Sequence, residues 1–176
     1  MAVSELAEGN LPAFEQLFQK HGERMKSIAA NLLGSVADAE DAVQETFLKV
    51  YRGASGFRGG ASVTTWIYRI LVNTCYDQMR RRSRRAEAPL PAKIALASPG
   101  QSDHPLRLAI EAELRRLPAR ERAAFLLCEV EGFSHREAGE ILEVPEATSR
   151  TFLFRAKRRL QQTLRATGAF APAEAS

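Results

Sequence analysis

The side chains of this sequence that could act on another molecule are cations set among aromatics, and their densest spacing lies near the C-terminal end. Residues 134–160 read SHREAGEILEVPEATSRTFLFRAKRRL. Arg150, Arg155, Lys157, Arg158 and Arg159 lie in one basic segment with Thr151 and Phe154 between them. A second group, Arg69, Tyr76 and Arg80 followed by Arg81, Arg82, Arg84 and Arg85, interleaves rings with cations in the same way. That chemistry suits nucleic acid, because rings stack on unpaired bases while Arg neutralises phosphate. Between residues 53 and 65 the loop GASGFRGGASVTT offers Phe57, Arg58, Ser62, Thr64 and Thr65 among glycines, which let a backbone approach a ligand closely. No nucleophile–base–acid set accompanies them. His21, His104 and His135 are scattered, and neither Cys75 nor Cys128 has metal-ligand spacing, so no catalytic site, metal or cofactor is expected.

Helices must position these groups. Ser134 with Glu137 forms a capping-box signature, and Ala138, Ile141 and Leu142 supply one apolar face. Pro145 suits the start of a following helix, since its missing N–H would go unpaired there. That helix puts Ser149, Leu153, Ala156, Leu160 and Leu164 on one side at three- and four-residue steps. Two short helices with a cationic second member fit a helix-turn-helix that lays its second helix in the major groove. A basic helix that merely packs, with solvated charges, is the alternative.

Further upstream, the periodicity predicts helices over about 11–33, 37–52, 64–82, 105–116 and 118–131, followed by 134–142 and 146–167, and no strand. In the second helix Ala39, Val43, Phe47, Val50 and Tyr51 form the expected buried stripe. Asp41, Gln44, Glu45, Leu48 and Arg52 project elsewhere, as a docking surface for a basic protein or as a solvated face. The third helix is expected to bury Trp66, Ile67, Ile70, Leu71 and Thr74, with Arg69, Val72, Tyr76 and Arg80 opposite. Residues 86–104 hold Pro89, Pro91, Pro99 and Gly100 with little periodicity, which reads as a flexible linker between two small helical domains. The tail after Gly168 reads as disordered. The fold class is therefore all-α, two small domains with a helix-turn-helix in the second.

Composition narrows the partners. The chain of 176 residues carries a net charge of +4, with acid concentrated before Arg52 and in the middle, and Arg clustered at 80–85 and 150–159. Such segregation suits a protein that touches nucleic acid with some surfaces and protein with others. No secretory signal or bilayer-length apolar run occurs, so no membrane insertion and a cytoplasmic location are expected. Both cysteines are read as small packed hydrophobes.

Three blocks in this order resemble the bacterial sigma factors of the extracytoplasmic-function (ECF) group. AFEQLFQKH with DAEDAVQETFLKVYR is similar to the start of the family's region two. FRGGASVTTWIYRILVNTCYDQMRRR is similar to its F-R-G-x-A-x-x-x-T-W-L-x-R-I-x-x-N-x-x-x-D block. LRRLPARERAAFLLCEVEGFSHREAGEILEVPEATSRTFLFRAKRRL resembles its L-x-x-L-P-x-x-x-R block and helix-turn-helix. The resemblance implies region two over 1–85, a linker over 86–104, region four over 105–168 and a tail over 169–176. It implies core RNA polymerase as a partner, through the clamp of the largest subunit and the flap of the second largest, together with promoter DNA and an anti-sigma factor. By position, Asp41, Gln44, Glu45, Leu48 and Arg52 would dock on the clamp. Phe57, Arg58, Ser62, Thr64, Thr65, Trp66, Arg69, Asn73, Tyr76 and Arg80 would open and hold the minus-ten element. Arg150, Thr151, Phe154 and Arg155 would face the minus-thirty-five element, with Arg158 and Arg159 on nearby phosphates.

Some positions depart from the family pattern. Glu143 stands where the turn usually has Gly, Ala147 and Ser149 replace Gly and Val, and Phe152 occupies a place where Arg is frequent. A non-Gly residue in a left-handed turn costs about 1–2 kcal/mol. Phe152 is expected to pack on the preceding helix rather than meet a thymine methyl. The competing reading is a stand-alone helix-turn-helix regulator whose first domain dimerises or senses. Such a domain has no need of a cationic, aromatic strip beside a Gly-rich loop.

Overall fold

A computed structural model describes residues 10–57, 59–85 and 105–166, so Arg58, the linker and the tail lie outside the described residues. Each helix begins and ends where the local chemistry provides partners for its free backbone groups. Helix α1 (Leu11–Leu33) stops at Gly34, whose φ of 77° lets its N–H turn back to the Ala30 carbonyl. Ser35 then opens α2 (Val36–Gly53) by accepting from the Asp38 N–H at 3.2 Å. A single 3₁₀ turn (Ala54–Gly56) leads into the glycine loop, and α3 runs Val63–Arg85. Ser62 caps that helix, its hydroxyl accepting from the Thr65 N–H at 3.0 Å.

After the linker come α4 (Pro105–Arg116) and α5 (Ala119–Phe125). The segment expected as one helix over 118–131 is instead two pieces, because α5 widens into a π turn (Leu126–Val130). The wider turn shifts the register, and the chain leaves it with the Phe133 N–H on the Leu127 carbonyl. Helix α6 (His135–Leu142) carries the full capping box of Ser134 and Glu137. Glu143 follows at φ 56°, left-handed, and α7 (Glu146–Ala166) completes the helix-turn-helix. Gly139 is obligatory at this corner: a Cβ there would meet the Val144 carbonyl oxygen at 2.9 Å.

Helices α1, α2 and α3 pack mutually, and α4, α5 and α6 pack around α7. The two groups are not separate bodies in this conformation. Helix α3 lies against α6 and α1 against α5, and residues of both halves, from Met25, Ile28 and Leu71 to Leu127, Ile141 and Leu142, share one buried cluster. A smaller cluster of Leu114, Leu117, Ala156 and Leu160 belongs to the C-terminal half alone.

Several expected faces are corrected. Val72 is fully buried rather than opposite the core, because α3 is covered on two sides, by its own bundle and by α6. Tyr51, expected in the buried stripe, is 54% exposed; Ala42 and Thr46 fill the interior in its place. His135 is half-buried, with Nδ1 3.8 Å from the Cys128 sulfur. Phe152, by contrast, packs inward as expected, against the main core.

Candidate nucleic-acid and polymerase interfaces

Three surfaces carry the residues singled out by sequence. On α2, Asp41, Gln44, Leu48 and Arg52 stand exposed at three- and four-residue steps, and Leu48 is 56% exposed. Glu45 is drawn partly inward, its carboxylate 2.9 Å from the Lys49 ammonium. Hydrogen bonding to Lys49 holds the Glu45 pKa below its ordinary value against the opposing effect of burial. Beside this stripe sits an aromatic patch that periodicity did not assign to it. Phe14 meets Tyr51 at a tilt with ring centroids 5.1 Å apart, and Phe18 meets Phe47 edge-on at 5.0 Å, with Phe18 and Tyr51 both more than half exposed. The i, i+4 pair of Phe14 and Phe18 was its only sequence signal.

The second surface is the junction of the glycine loop with α3. Phe57 and Trp66 meet ring to ring at 4.9 Å, and with Lys49, Arg69 and Ile70 they line one wall of a cleft of about 870 Å³. Ser62 and Thr65 are engaged in the helix cap, their hydroxyls 2.8 Å apart, so they shape the loop rather than offer free hydroxyls. Thr64 is half-buried beside them. Asn73 points across the cleft, its amide donating to the Glu143 carboxylate at 3.2 Å. Arg80 lies on the exposed C-terminal stretch of α3, ion-paired with Asp77. Tyr76 is not brought to this wall. Its hydroxyl is buried without a hydrogen-bond partner among the described residues, and burial pushes its pKa up to about 12.

The third surface is the outer side of α7. Arg150, Thr151, Phe154, Arg155 and Arg158 are all exposed there, with Phe154 65% exposed, while Ser149, Leu153, Ala156 and Leu160 are buried on the inner side. Arg150 is paired at 2.6 Å with Glu146, whose pKa this contact lowers. The Thr151 hydroxyl donates to the Ala147 carbonyl at 2.9 Å. Arg159 departs from the group. It stays exposed, but its guanidinium lies 3.3 Å from the buried Glu121 carboxylate of α5 and so ties α7 to that helix.

Sequence reasoning missed the groups that join the halves. Arg122 is buried and donates to the Asn31 and Leu32 carbonyls at 3.1 and 3.3 Å and to the Leu117 carbonyl at 3.2 Å. Burial lowers its pKa, opposed by the neighbouring Tyr76. Tyr68, 1% exposed, packs edge-on against Phe133 at 4.9 Å, and its hydroxyl is 3.5 Å from the Glu131 carboxylate. Burial raises the pKa of both groups of that pair. Among the described residues no cluster of His, Cys, Asp and Glu has the arrangement of a metal site, and no helix is long and apolar enough to cross a membrane.

Comparison with known proteins accounts for both halves. Sigma-70 region 2 matches residues 17–85, and sigma-70 region 4 matches residues 107–160. The ECF RNA polymerase sigma factor SigM of Mycobacterium tuberculosis is 34% identical over 89% of this chain and 79% of its own length. The ECF sigma-E factor of Haemophilus influenzae is 29% identical over 92% of this chain and 93% of its own. Among solved structures, the sigma factor RpoE of Bartonella quintana, in complex with the anti-sigma factor NepR, superposes with a TM-score of 0.76 at 28% identity. That match covers 88% of this chain and 98% of the other. CnrH, in complex with the cytosolic domain of CnrY, gives a TM-score of 0.72 at 25% identity over 93% and 95% of the two chains. Two helical regions in the same order, with relatives this similar along most of their length, have one explanation: the chain belongs to the ECF RNA polymerase sigma factors.

Proposed function

We propose that this protein binds core RNA polymerase through the exposed α2 stripe and directs it to promoters that its two regions read in different ways. The observation that carries the reading is the division of α7: one side buried in a helix-turn-helix, the other presenting Arg150, Thr151, Phe154, Arg155 and Arg158 to solvent. Exposed cations at that spacing fit the backbone of a major groove, and an exposed ring beside them fits a thymine methyl. The stripe of Asp41, Gln44, Leu48 and Arg52, with Glu45 at its edge and the Phe18–Tyr51 patch beside it, takes the polymerase clamp. Phe57, Trp66, Arg69 and Asn73 take the melted minus-ten strand, with Arg58 in the same loop and Arg80 on the phosphates. Region two occupies 1–85, the linker 86–104 and region four 105–168, with a short tail to 176. Region four also meets the flap of the second-largest subunit.

Capture of a flipped base costs a few kcal/mol, and stacking returns roughly 1–3 kcal/mol per base. Strand opening is therefore coupled to polymerase binding, and the chain itself carries out no catalysis. Its place of work is the cytoplasm, where polymerase and promoter are. Both structural neighbours are bound to a second protein, the anti-sigma factor NepR or the cytosolic domain of CnrY, and an anti-sigma factor suits this chain too.

The test is run-off transcription of fragmented genomic DNA by core bacterial polymerase with and without the protein. Discrete transcripts that require the protein establish the reading and define its promoter. Specific duplex binding by the protein alone, with no transcripts, would replace it with a regulator that acts without polymerase.

A further inference from the structure

The two regions face each other across the surface that must read DNA. Helix α6, its turn and the first residue of α7 form the second wall of the cleft, with Arg136, Glu140, Glu143 and Glu146 opposite Lys49, Trp66 and Arg69. Three carboxylates thus stand before the cations of region two, where the phosphates of a single strand would otherwise lie. Glu143 adds a direct hydrogen bond to Asn73, although its φ of 56° is one that a non-glycine residue adopts at a cost. Underneath, Arg122 of region four places its guanidinium on the carbonyls that end α1, the negative end of that helix, while also closing the end of α4 at Leu117. Tyr68 and Phe133 complete the contact.

We propose that this closed arrangement is a self-inhibited state, in which region four covers the minus-ten surface of region two and Arg122 and Glu143 hold it there. The proposal rests on reading α3 and its loop as that surface. Elements centred about 25 base pairs apart are separated by about 85 Å of duplex at 3.4 Å per pair, so regions in contact cannot occupy both. A 19-residue linker reaches at most about 65 Å when extended, which allows the regions to part without strain in the chain. Closure leaves the outer side of α7 open, with Phe154 and Arg155 exposed. It therefore blocks the single strand and not the upstream duplex. Glu143, at a left-handed position that Gly would fill without strain, trades turn strain for a contact with the other region.

Two variants separate closure from stability. Glu143→Gly relieves the left-handed turn and removes the carboxylate, whereas Arg122→Met removes the guanidinium and keeps much of its volume. Small-angle scattering of the full chain reads the radius of gyration, and anisotropy with a fluorescent single-stranded DNA of mixed sequence reads access to region two, both without polymerase. Both variants should have a larger radius. Arg122→Met should bind the strand about tenfold more tightly and Glu143→Gly about threefold, in proportion to the open fraction each gains. Glu143→Gly should do so with an unchanged or higher melting temperature, which keeps the test decisive if Arg122→Met fails to fold. Wild-type radius and wild-type strand affinity in Glu143→Gly, with the protein folded, would overturn the proposal. Opening in both variants without promoter-dependent transcripts would instead retire the sigma-factor reading and leave the closed state standing.

Discussion

The two halves of this protein are built on different principles. The N-terminal bundle has a deep apolar interior, in which Met25, Ile28, Leu32, Ile67 and Leu71 are essentially without solvent contact. The C-terminal half has a small cluster of its own, Leu114, Leu117, Ala156 and Leu160, and buries Glu111, Glu121 and Arg122 besides. Others of its buried apolar residues, Leu126, Leu127, Ile141 and Leu142 among them, belong to the cluster shared with the first half. A half whose interior is completed by another surface can leave that surface for a better partner. A half with a dry interior of its own serves as the fixed platform.

The most severe way to break this comparison is to cut into each interior in turn. Leu71→Ala should cost about 2–5 kcal/mol and lower the urea midpoint of the whole chain, since the residue lies at the centre of the shared cluster. Leu160→Ala should fall at the low end of that range, roughly 2 kcal/mol, because its cluster is small and near the surface. Hydrogen exchange distinguishes them: Leu160→Ala should loosen α4 and α7 while α1 to α3 keep their protection. Equal loosening of α1 to α3 would mean that the platform is no more independent than the half it carries.

Function should divide in the same manner. Leu48→Asp removes an exposed apolar contact worth roughly 1.5–3 kcal/mol when buried, so affinity for core polymerase should fall about ten- to a hundredfold with melting unchanged. Arg155→Ala should leave polymerase affinity alone and lower the salt dependence of duplex binding by about one phosphate contact. Arg159→Ala offers the contrast along the same helix. Because Arg159 leans on Glu121, it should cost stability of the C-terminal half rather than a salt-dependent contact. Titrations of DNA binding against salt concentration check both.

How much of this was legible in the sequence follows from the range of the interactions. The helix ends at Gly34, Ser35 and Ser134 were readable because each is decided within four residues. So was the strain at Glu143, from its place in the turn, and the buried side of α7. Faces decided by distant elements were not readable. Val72 and Tyr76 lie on the side of α3 that an isolated bundle would leave open, and that side faces α6 and the helix carrying Arg120 and Arg122. Arg122 and Arg159 look like any other cations of a basic chain; that Arg122 enters the interior and Arg159 pairs at the surface with a buried carboxylate depends on groups supplied by other helices. For the candidate site, the residue types were legible and their state of engagement was not, as the helix-capping roles of Ser62 and Thr65 illustrate.

The smallest effect concerns two carboxylates near the boundary between the halves. Hydrogen bonds from Ser134, first its side chain and then its backbone, hold the Glu137 pKa below its ordinary value, whereas burial raises that of Glu131 beside Tyr68. The stability from Glu137 is present above the ordinary carboxylate range and is lost as pH falls through its depressed value. That from Glu131 has the opposite sign: it is present below the ordinary range and is lost as pH rises through its elevated value. Ser134→Ala should therefore cost about 1 kcal/mol at neutral pH, the usual worth of a helix cap. The difference from wild type should shrink toward acid pH, where Glu137 is protonated in both proteins and its part of the capping box is already lost. Urea midpoints measured at neutral and acid pH test this. A difference that stays constant with pH would place the whole worth of the cap in the Ser134 hydroxyl and none in the carboxylate that answers it.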